Sequence, residues 1–170
     1  MRPPGVLSCM PRRSRENAPG TIHHVYARGI AGDDIFRDDL DRRLYLHLLV
    51  DVSRRFDWGC LVHCLMTNHV HLLVETPKGN LAEGVQSLHG RYAQKFNWRH
   101  ERAGHLFQSR YGATRITSDA HFQTATMYIV RNPVEAGLCT HPRDWRWLDY
   151  EAALARQESQ LQASTSLNGV

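Results

Sequence analysis

The sequence predicts an α+β fold, in which an antiparallel sheet has helices packed on one of its faces. Stretches that are rich in β-branched residues, or that alternate between apolar and polar residues, predict strands at 22–28, 59–65 and 69–75. Segments whose apolar residues recur every three or four positions predict the helices. The resulting order is strand, helix, strand, strand, helix, strand, helix. It leaves the second face of the sheet open for function.

The first predicted helix covers about residues 40–56, and Asp38 or Asp39 can cap it. Its apolar stripe is expected to repeat every four residues, at Leu40, Leu44, Leu48 and Val52. The turn at 66–68 is short enough to join the second and third strands directly, so we expect these two strands to pair.

The second predicted helix covers about residues 81–98. Asn80 and Glu83 resemble a capping box at its start, and its expected apolar stripe is Leu81, Val85, Leu88, Tyr92 and Phe96. Residues 106–116 contain a further strand or an irregular connection. A third helix begins after Ser118 or Asp119 and is expected to end near Asn132, because Pro133 disfavours its continuation.

The chain of 170 residues predicts one domain over 21–155, preceded by a disordered basic arm at 1–20 and followed by a flexible tail at 156–170. No apolar run reaches the length of a membrane span, and the N-terminus lacks the apolar core of a signal peptide. The four cysteines form no CxxC pair, which is typical of reduced thiols. We therefore expect a cytoplasmic, nucleoid-associated protein.

Positive charge is concentrated between residues 91 and 115, where Glu101 is the single acidic residue. Such a stretch is typical of nucleic-acid binding, although a solvated basic face has the same composition. Tyr111, Trp98 or Phe107 could stack on bases. The predicted DNA-binding residues are Arg91, Lys95, Arg99, Arg102, Arg110, Tyr111 and Arg115.

The third strand opens with His69-Val70-His71. Two residues apart on a strand, both imidazoles point to the same face, about 7 Å from each other, and can converge on one metal ion. Such pairs also occur on exposed strands without any function. A zinc site formed by Cys60, Cys64 and the two histidines is a weaker alternative, because Cys60 and Cys64 lie within a strand and not in a zinc knuckle.

The third helix combines a core stripe with a possible reactive edge. If Phe122, Ala125 and Ile129 face the core, then Tyr128 and Asn132 lie next to each other along the edge of that stripe, together with His121. The amide oxygen of Asn132 suits Mg²⁺ or Mn²⁺. Alternatively, Tyr128 is an amphipathic boundary residue and Asn132 a C-cap. Tyr92 belongs to the predicted core, and Tyr111 is a rival nucleophile.

Six blocks of sequence together resemble one family, the HUH single-tyrosine (IS200-like) transposases, and within it the REP-associated tyrosine transposases. The blocks occur in the family's order: 26–29 (YARG), 35–39 (IFRDD), 66–74 (MTNHVHLLV), 104–111 (GHLFQSRY), 128–138 (YIVRNPVEAGL) and 144–147 (DWRW). Thr67 stands where relatives often have proline, and Val130-Arg131 where more aliphatic pairs are usual.

The resemblance implies a ferredoxin-like or RRM-like sheet. It also implies that His69 and His71 bind Mg²⁺ or Mn²⁺ with Asn132 as third ligand, and that Tyr128 is the nucleophile that attacks DNA. The expected substrate is single-stranded or hairpin DNA, and relatives include both monomers and homodimers.

The function expected from the resemblance is metal-dependent cleavage and rejoining of single-stranded DNA through a 5′-phosphotyrosine, at hairpin-flanked or palindromic repeats. One alternative is a domesticated, catalytically silent module that binds nucleic acid. A second alternative is a small metal-dependent hydrolase with water as nucleophile. A covalent protein–DNA adduct separates the first function from the other two.

Overall fold

An antiparallel sheet lies at the centre of the computed structural model, which describes residues 18–167 with side chains as far as residue 159. The order of the strands in this part of the chain is β4-β1-β3-β2-β5. The strands are β1 (Thr21–Arg28), β2 (Gly59–Leu65), β3 (His69–Thr76), β4 (Gly112–Ile116) and β5 (Leu148–Asp149). The α-helices are α1 (Asp39–Phe56), α2 (Leu81–Arg99), α3 (Asp119–Glu135) and α4 (Glu151–Leu167). Most of the predicted N-terminal arm, residues 1–17, lies outside the described residues.

Helices α1 and α2 cover one face of the sheet, as the sequence predicts. Val25 of β1 and Leu72 of β3 are buried there with Leu48 and Tyr92. The predicted stripe of α2 is confirmed, since all five of its members are buried in this core. The predicted α+β class is therefore confirmed.

The predicted stripe of α1 is only partly correct, because Leu40 is 58% exposed and Tyr45 is buried instead. An α-helix has 3.6 residues per turn, so a spacing of four residues drifts by about 40° at each step. Over three steps, this drift carries Leu40 away from the face that Val52 buries. Asp38 caps the helix, and its side chain accepts a hydrogen bond from the backbone N–H of Asp41 at 3.0 Å.

The predicted capping box at the start of α2 is wrong. The side chain of Asn80 makes no capping bond to the helix. It accepts a hydrogen bond from the Trp58 indole at 2.9 Å and donates one to the backbone carbonyl of Phe56 at 2.8 Å. Asn80 therefore ties the start of α2 to the end of α1.

Helices α3 and α4 pack on the second face, which the sequence analysis expected to be open. Phe122 and Ile129 of α3 are buried there against Cys64 of β2 and Leu73 of β3, and Ala153 of α4 joins the same cluster. This confirms the predicted core stripe of α3. It also places α3 on the face to which His69 and His71 point.

The predicted end of α3 near Asn132 is wrong, because the helix continues to Glu135 with Pro133 inside it. Proline removes only one N–H, and the backbone N–H groups of Ala136 and Leu138 still bond to the carbonyls of Asn132 and Pro133 at 2.9 Å. Pro133 itself is buried. One missing hydrogen bond so close to the end of a helix does not terminate it.

A helix also occupies most of the segment 156–170 for which the sequence predicts a flexible tail. Helix α4 begins at Glu151, and Arg156 pairs with Glu75 of β3 at 3.2 Å. Residues 168–170 of the predicted tail lie outside the described residues. Across residues 18–167, no helix is long and apolar enough to cross a membrane.

The close packing of Gly84 against Trp58 provides a stability test. A Cβ added at Gly84 would lie 2.1 Å from a ring carbon of the buried Trp58, whereas one added at Gly90 in the same helix would meet nothing within 4 Å. Gly84→Ala should therefore lower the free energy of unfolding by about 1–3 kcal/mol through overpacking. Gly90→Ala should raise it by about 0.5–1 kcal/mol, because alanine favours a helix.

Urea denaturation of the two variants beside the wild type measures both effects. An equal change in the two variants would contradict the Gly84–Trp58 contact.

Candidate active site

Two histidines of β3 form the floor of the site. His69 and His71 point to the α3 face, and their ring centroids are 5.1 Å apart. His71 is only 6% exposed, while His69 is half-buried. The alternation of the strand places Val70 and Leu72 in the opposite core. The predicted common face of the pair is thus present, with the rings closer together than the about 7 Å expected from strand geometry.

Helix α3 brings Tyr128 into contact with His71 of this pair and with His24 of β1. Its ring centroid lies 5.6 Å from that of His71 and 5.9 Å from that of His24. Tyr128 remains 51% exposed, so a substrate can reach it. Its position follows from the buried stripe of α3, because Ile129 packs into the core and leaves Tyr128 at the edge of the packed surface. A phenol and two imidazoles that are distant in sequence therefore meet within one chain.

Asn132 lies one helical turn after Tyr128. Its Nδ2 donates a hydrogen bond to the backbone carbonyl of Tyr128 at 2.7 Å, which leaves the amide oxygen for another partner. The Asn132 side chain also lies next to the ring of His69. The alternative role of Asn132 as a C-cap is not supported, since Ala136 ends the helix.

The turn before β3 fixes the tautomer of His69. Asn68 donates from Nδ2 to the carbonyl of Gly32 at 3.1 Å, so its Oδ1 faces His69 Nδ1 at 2.7 Å. An amide oxygen only accepts, which means that Nδ1 of His69 carries the proton. The lone pair of a neutral His69 is therefore on Nε2.

His24 is a member of the site that the sequence analysis did not single out. Its Nε2 lies 3.0 Å from Nδ1 of His71. Tyr26 pairs with His71 across β1 and β3, and His24 is two residues before Tyr26 on the same face. The alternation of β1 gives the face of His24, but the pairing register that places it beside His71 is not readable from the sequence.

Burial keeps the three imidazoles neutral. It lowers the pKa of His71 to about 3, with His24 and His69 contributing repulsion, and it lowers the pKa of His24 to about 4. Burial also lowers the pKa of His69, an effect that the neighbouring Asn132 side chain opposes. Neutral imidazole is the form that binds a metal ion.

The donor set fits a divalent ion only if Asn132 takes part. Within residues 18–167, no three His, Cys, Asp or Glu side chains are arranged to hold a metal ion. His69 and His71 supply neutral nitrogen, and Asn132 supplies the amide oxygen that Mg²⁺ or Mn²⁺ accepts.

The alternative zinc site is not assembled. Cys64 is buried on the α3 face, whereas Cys60 packs against the α1–α2 core, because a bulge interrupts β2 between Cys60 and Val62. Burial raises the pKa of both thiols to about 12, which disfavours the thiolate that zinc needs.

Tyr26 adds a second exposed phenol to the site. Its ring lies 5.6 Å from that of His24 and 6.3 Å from that of His71. A Cβ on Gly112 of the neighbouring β4 would lie 2.2 Å from this ring. The Tyr26 ring can therefore pack over β4 only because residue 112 has no side chain. Tyr26 can offer a flat apolar surface next to His24 and His71.

Several of the predicted DNA-binding residues are engaged in ion pairs. Arg91 contacts Asp51 at 3.1 Å, and Arg99 contacts Asp41 at 2.6 Å. Arg102 lies 3.6 Å from Asp33. Of the other predicted members, Lys95, Arg110 and Arg115 are exposed and Tyr111 is buried.

A cavity of about 680 Å³ lies between α2 and the segment 104–111, and it includes Arg110 and Tyr111 in its lining. Phe107 stacks on His89 at this cavity, with ring centroids 4.5 Å apart. Trp98, by contrast, is 85% exposed, which makes it the most accessible of the three predicted stacking residues.

Comparison with known proteins identifies the family. A family model for IS200-like transposases matches residues 21–132, the segment from β1 to Asn132. The match covers more than half of the chain, and the chain belongs to the IS200-like transposase family. No curated protein matches the sequence.

Two solved structures resemble the fold. The first is a REP-associated tyrosine transposase bound to a REP hairpin, with 16% identity, a TM-score of 0.68 and coverage of 86% of each chain. The second is a putative transposase from Deinococcus radiodurans R1, with 17% identity, a TM-score of 0.49, and coverage of 71% of this chain and 96% of that chain. At such low identity, the first likeness concerns the fold alone.

Arg99 and Lys95 test whether the ion-paired basic residues stabilise the fold while the exposed ones do not. Arg99 binds both Asp38, the cap of α1, and the fully buried Asp41, and its guanidinium holds the pKa of Asp38 near 2. Arg99→Ala should lower the free energy of unfolding, because Asp41 loses a partner. Lys95→Ala, at an exposed position, should change it by less than about 0.5 kcal/mol.

Urea denaturation compares the two variants at neutral pH. An Arg99→Ala variant as stable as Lys95→Ala would contradict the structural role of Arg99.

Proposed function

We propose that this chain cuts and rejoins single-stranded DNA, with Tyr128 as nucleophile and with Mg²⁺ or Mn²⁺ held by His69, His71 and Asn132. The observation that carries the proposal is the contact of the Tyr128 ring with the His71 ring, at 5.6 Å between centroids. Membership of the IS200-like transposase family supports the same chemistry.

The proposed step is an in-line displacement at phosphorus. The phenol oxygen of Tyr128 forms a bond to the phosphorus while the bond from phosphorus to the 3′ oxygen breaks. The proton of the phenol passes through solvent to the leaving oxygen. The products are a 5′-phosphotyrosine and a free 3′-OH, so atoms and charge balance.

The protein contributes position and neutral ligands. A tyrosine hydroxyl is a weak nucleophile at neutral pH, and holding it at about 3–3.5 Å from phosphorus supplies much of the rate. A bound divalent ion would neutralise the charge that develops on the phosphate oxygens. Asn132 connects the two functions, since it follows Tyr128 by one turn and also contacts His69.

The covalent intermediate also accounts for rejoining. The phosphotyrosine ester conserves the energy of the broken phosphodiester, so an incoming 3′-OH can attack it without ATP. This reversibility is what a transposase needs, because the same site can release one DNA end and accept another.

Single-stranded or hairpin-flanked DNA is the proposed substrate. The rings of Tyr128 and Tyr26 are both about half exposed and both contact His24 and His71, so an unpaired strand can reach them more easily than a duplex. The exposed Trp98 and Tyr26 can stack on bases. The structural relative with bound REP hairpin supports a folded single strand as the ligand.

Tyr128→Phe tests the nucleophile. Incubation with single-stranded oligonucleotides carrying the target repeat and Mn²⁺ should give a covalent adduct with the wild type and none with Tyr128→Phe. DNA binding should change by no more than a few-fold, because the ring is retained. Denaturing gel electrophoresis measures the adduct.

The matched control is Tyr26→Phe, which removes the other exposed phenol of the site. It should retain the adduct. An adduct that persists in Tyr128→Phe and is lost in Tyr26→Phe would move the nucleophile to Tyr26. Binding without any adduct in the wild type would favour a silent binding module.

Metal dependence is tested by chelating the ion and by replacing its proposed histidine ligands. EDTA should abolish adduct formation, and added Mn²⁺ should restore it. Replacing His69 and His71 with alanine should remove several kcal/mol of transition-state stabilisation, at least about a 100-fold loss of rate that Mn²⁺ cannot restore. Rapid-quench kinetics measures the rate. Full activity in EDTA would reject the metal.

A further inference from the structure

We infer that His24 is a positioning residue for His71: it accepts a hydrogen bond from Nδ1–H of His71 and so leaves Nε2 of His71 available to a divalent metal ion. The role of the ion rests on the proposed function. The choice between the two possible directions of the hydrogen bond rests on it too, whereas the 3.0 Å contact between the two rings does not.

The sheet makes this contact from two neighbouring strands. Tyr26 stands opposite His71 in the antiparallel pair β1–β3, and His24 is the diagonal neighbour on the same face. The two imidazoles approach to 3.0 Å between Nε2 of His24 and Nδ1 of His71, and their centroids are 5.1 Å apart. The ring of Tyr128 makes edge contacts with both His24 and His71.

The chemistry of the contact allows two arrangements. If His24 donated from Nε2, then Nδ1 of a neutral His71 would be the acceptor and its remaining proton would be on Nε2. His71 would then have no lone pair for a metal ion. If His71 donates from Nδ1, its Nε2 is unprotonated, and His24 carries its own proton on Nδ1. Only the second arrangement makes His71 a ligand.

His69 shows the same arrangement at the other histidine of the pair. Its Nδ1 faces Oδ1 of Asn68 at 2.7 Å, an atom that can only accept. Both histidines of the pair are thus held through Nδ1 by the protein, and both have Nε2 as the remaining nitrogen. Metal-bound histidines in proteins are generally held in this way, by an acceptor at the other ring nitrogen.

Two variants distinguish the loss of the hydrogen-bond acceptor at position 24 from the loss of the imidazole itself. His24→Leu removes the acceptor, whereas His24→Gln offers an amide oxygen that can replace it. The control is His23→Gln, at the adjacent position of β1, whose side chain faces the opposite core and bonds to Thr21 at 2.7 Å. Circular dichroism and urea denaturation establish that each variant is folded.

The first measurement is the tautomer in the metal-free protein, read from the ¹⁵N chemical shifts of labelled histidines. We expect His71 to be protonated at Nδ1 in the wild type, in His24→Gln and in His23→Gln. In His24→Leu the proton should shift toward Nε2. A wild-type His71 protonated at Nε2 overturns the inference.

The second measurement is the affinity for Mn²⁺, by titration calorimetry or by electron paramagnetic resonance. His24→Leu should bind Mn²⁺ about 10–100-fold more weakly than the wild type, the usual effect of removing such an acceptor. His24→Gln and His23→Gln should stay within a few-fold. Equal affinity in His24→Leu and the wild type, or equal losses in His24→Leu and His24→Gln, overturns the inference.

The two proposals can fail separately. If the tautomer and the Mn²⁺ affinities are as expected but Tyr128 forms no adduct, the proposed function fails and the role of His24 stands. If the adduct forms and His24→Leu leaves both the tautomer and the affinity unchanged, the role of His24 fails and the proposed function stands.

Discussion

The packing of α3 across the histidine-bearing face of the sheet is the constraint on which the site depends. Phe122 and Ile129 enter the second core, and this fixes both the rotation and the height of the helix above β3. Tyr128 is the residue before Ile129, so the same contact that buries an apolar side chain presents the phenol to His71. The contact between phenol and imidazole thus follows from ordinary hydrophobic packing.

Hydrogen bonds then orient the groups that packing has brought together. Asn68 holds His69, His24 contacts His71, and Asn132 bonds to the carbonyl of Tyr128. Each of these partners is itself placed by an element of the fold: the turn before β3, the strand β1 and the helix α3. The site is therefore supported from three directions, and a small change in any one of them would alter the angle between phenol and imidazole.

Much of this architecture was predictable because it depends on sequence patterns within single strands and helices. Alternation along β3 gives the common face of His69 and His71, and the helical period gives the edge position of Tyr128. His24 was missed because the register of β1 on β3 depends on contacts distant in sequence. The extension of α3 past Pro133 was missed for another reason: the rule that proline ends a helix gives no weight to how few hydrogen bonds are lost near the helix end.

Tyr128 and both histidines belong to the same polypeptide, so the arrangement of phenol and imidazoles is complete within a single chain. The position of the phenol is then set by how firmly α3 is held on its own sheet. Substitutions of Phe122 or Ile129, which touch none of the three imidazoles, would therefore reach them through the helix.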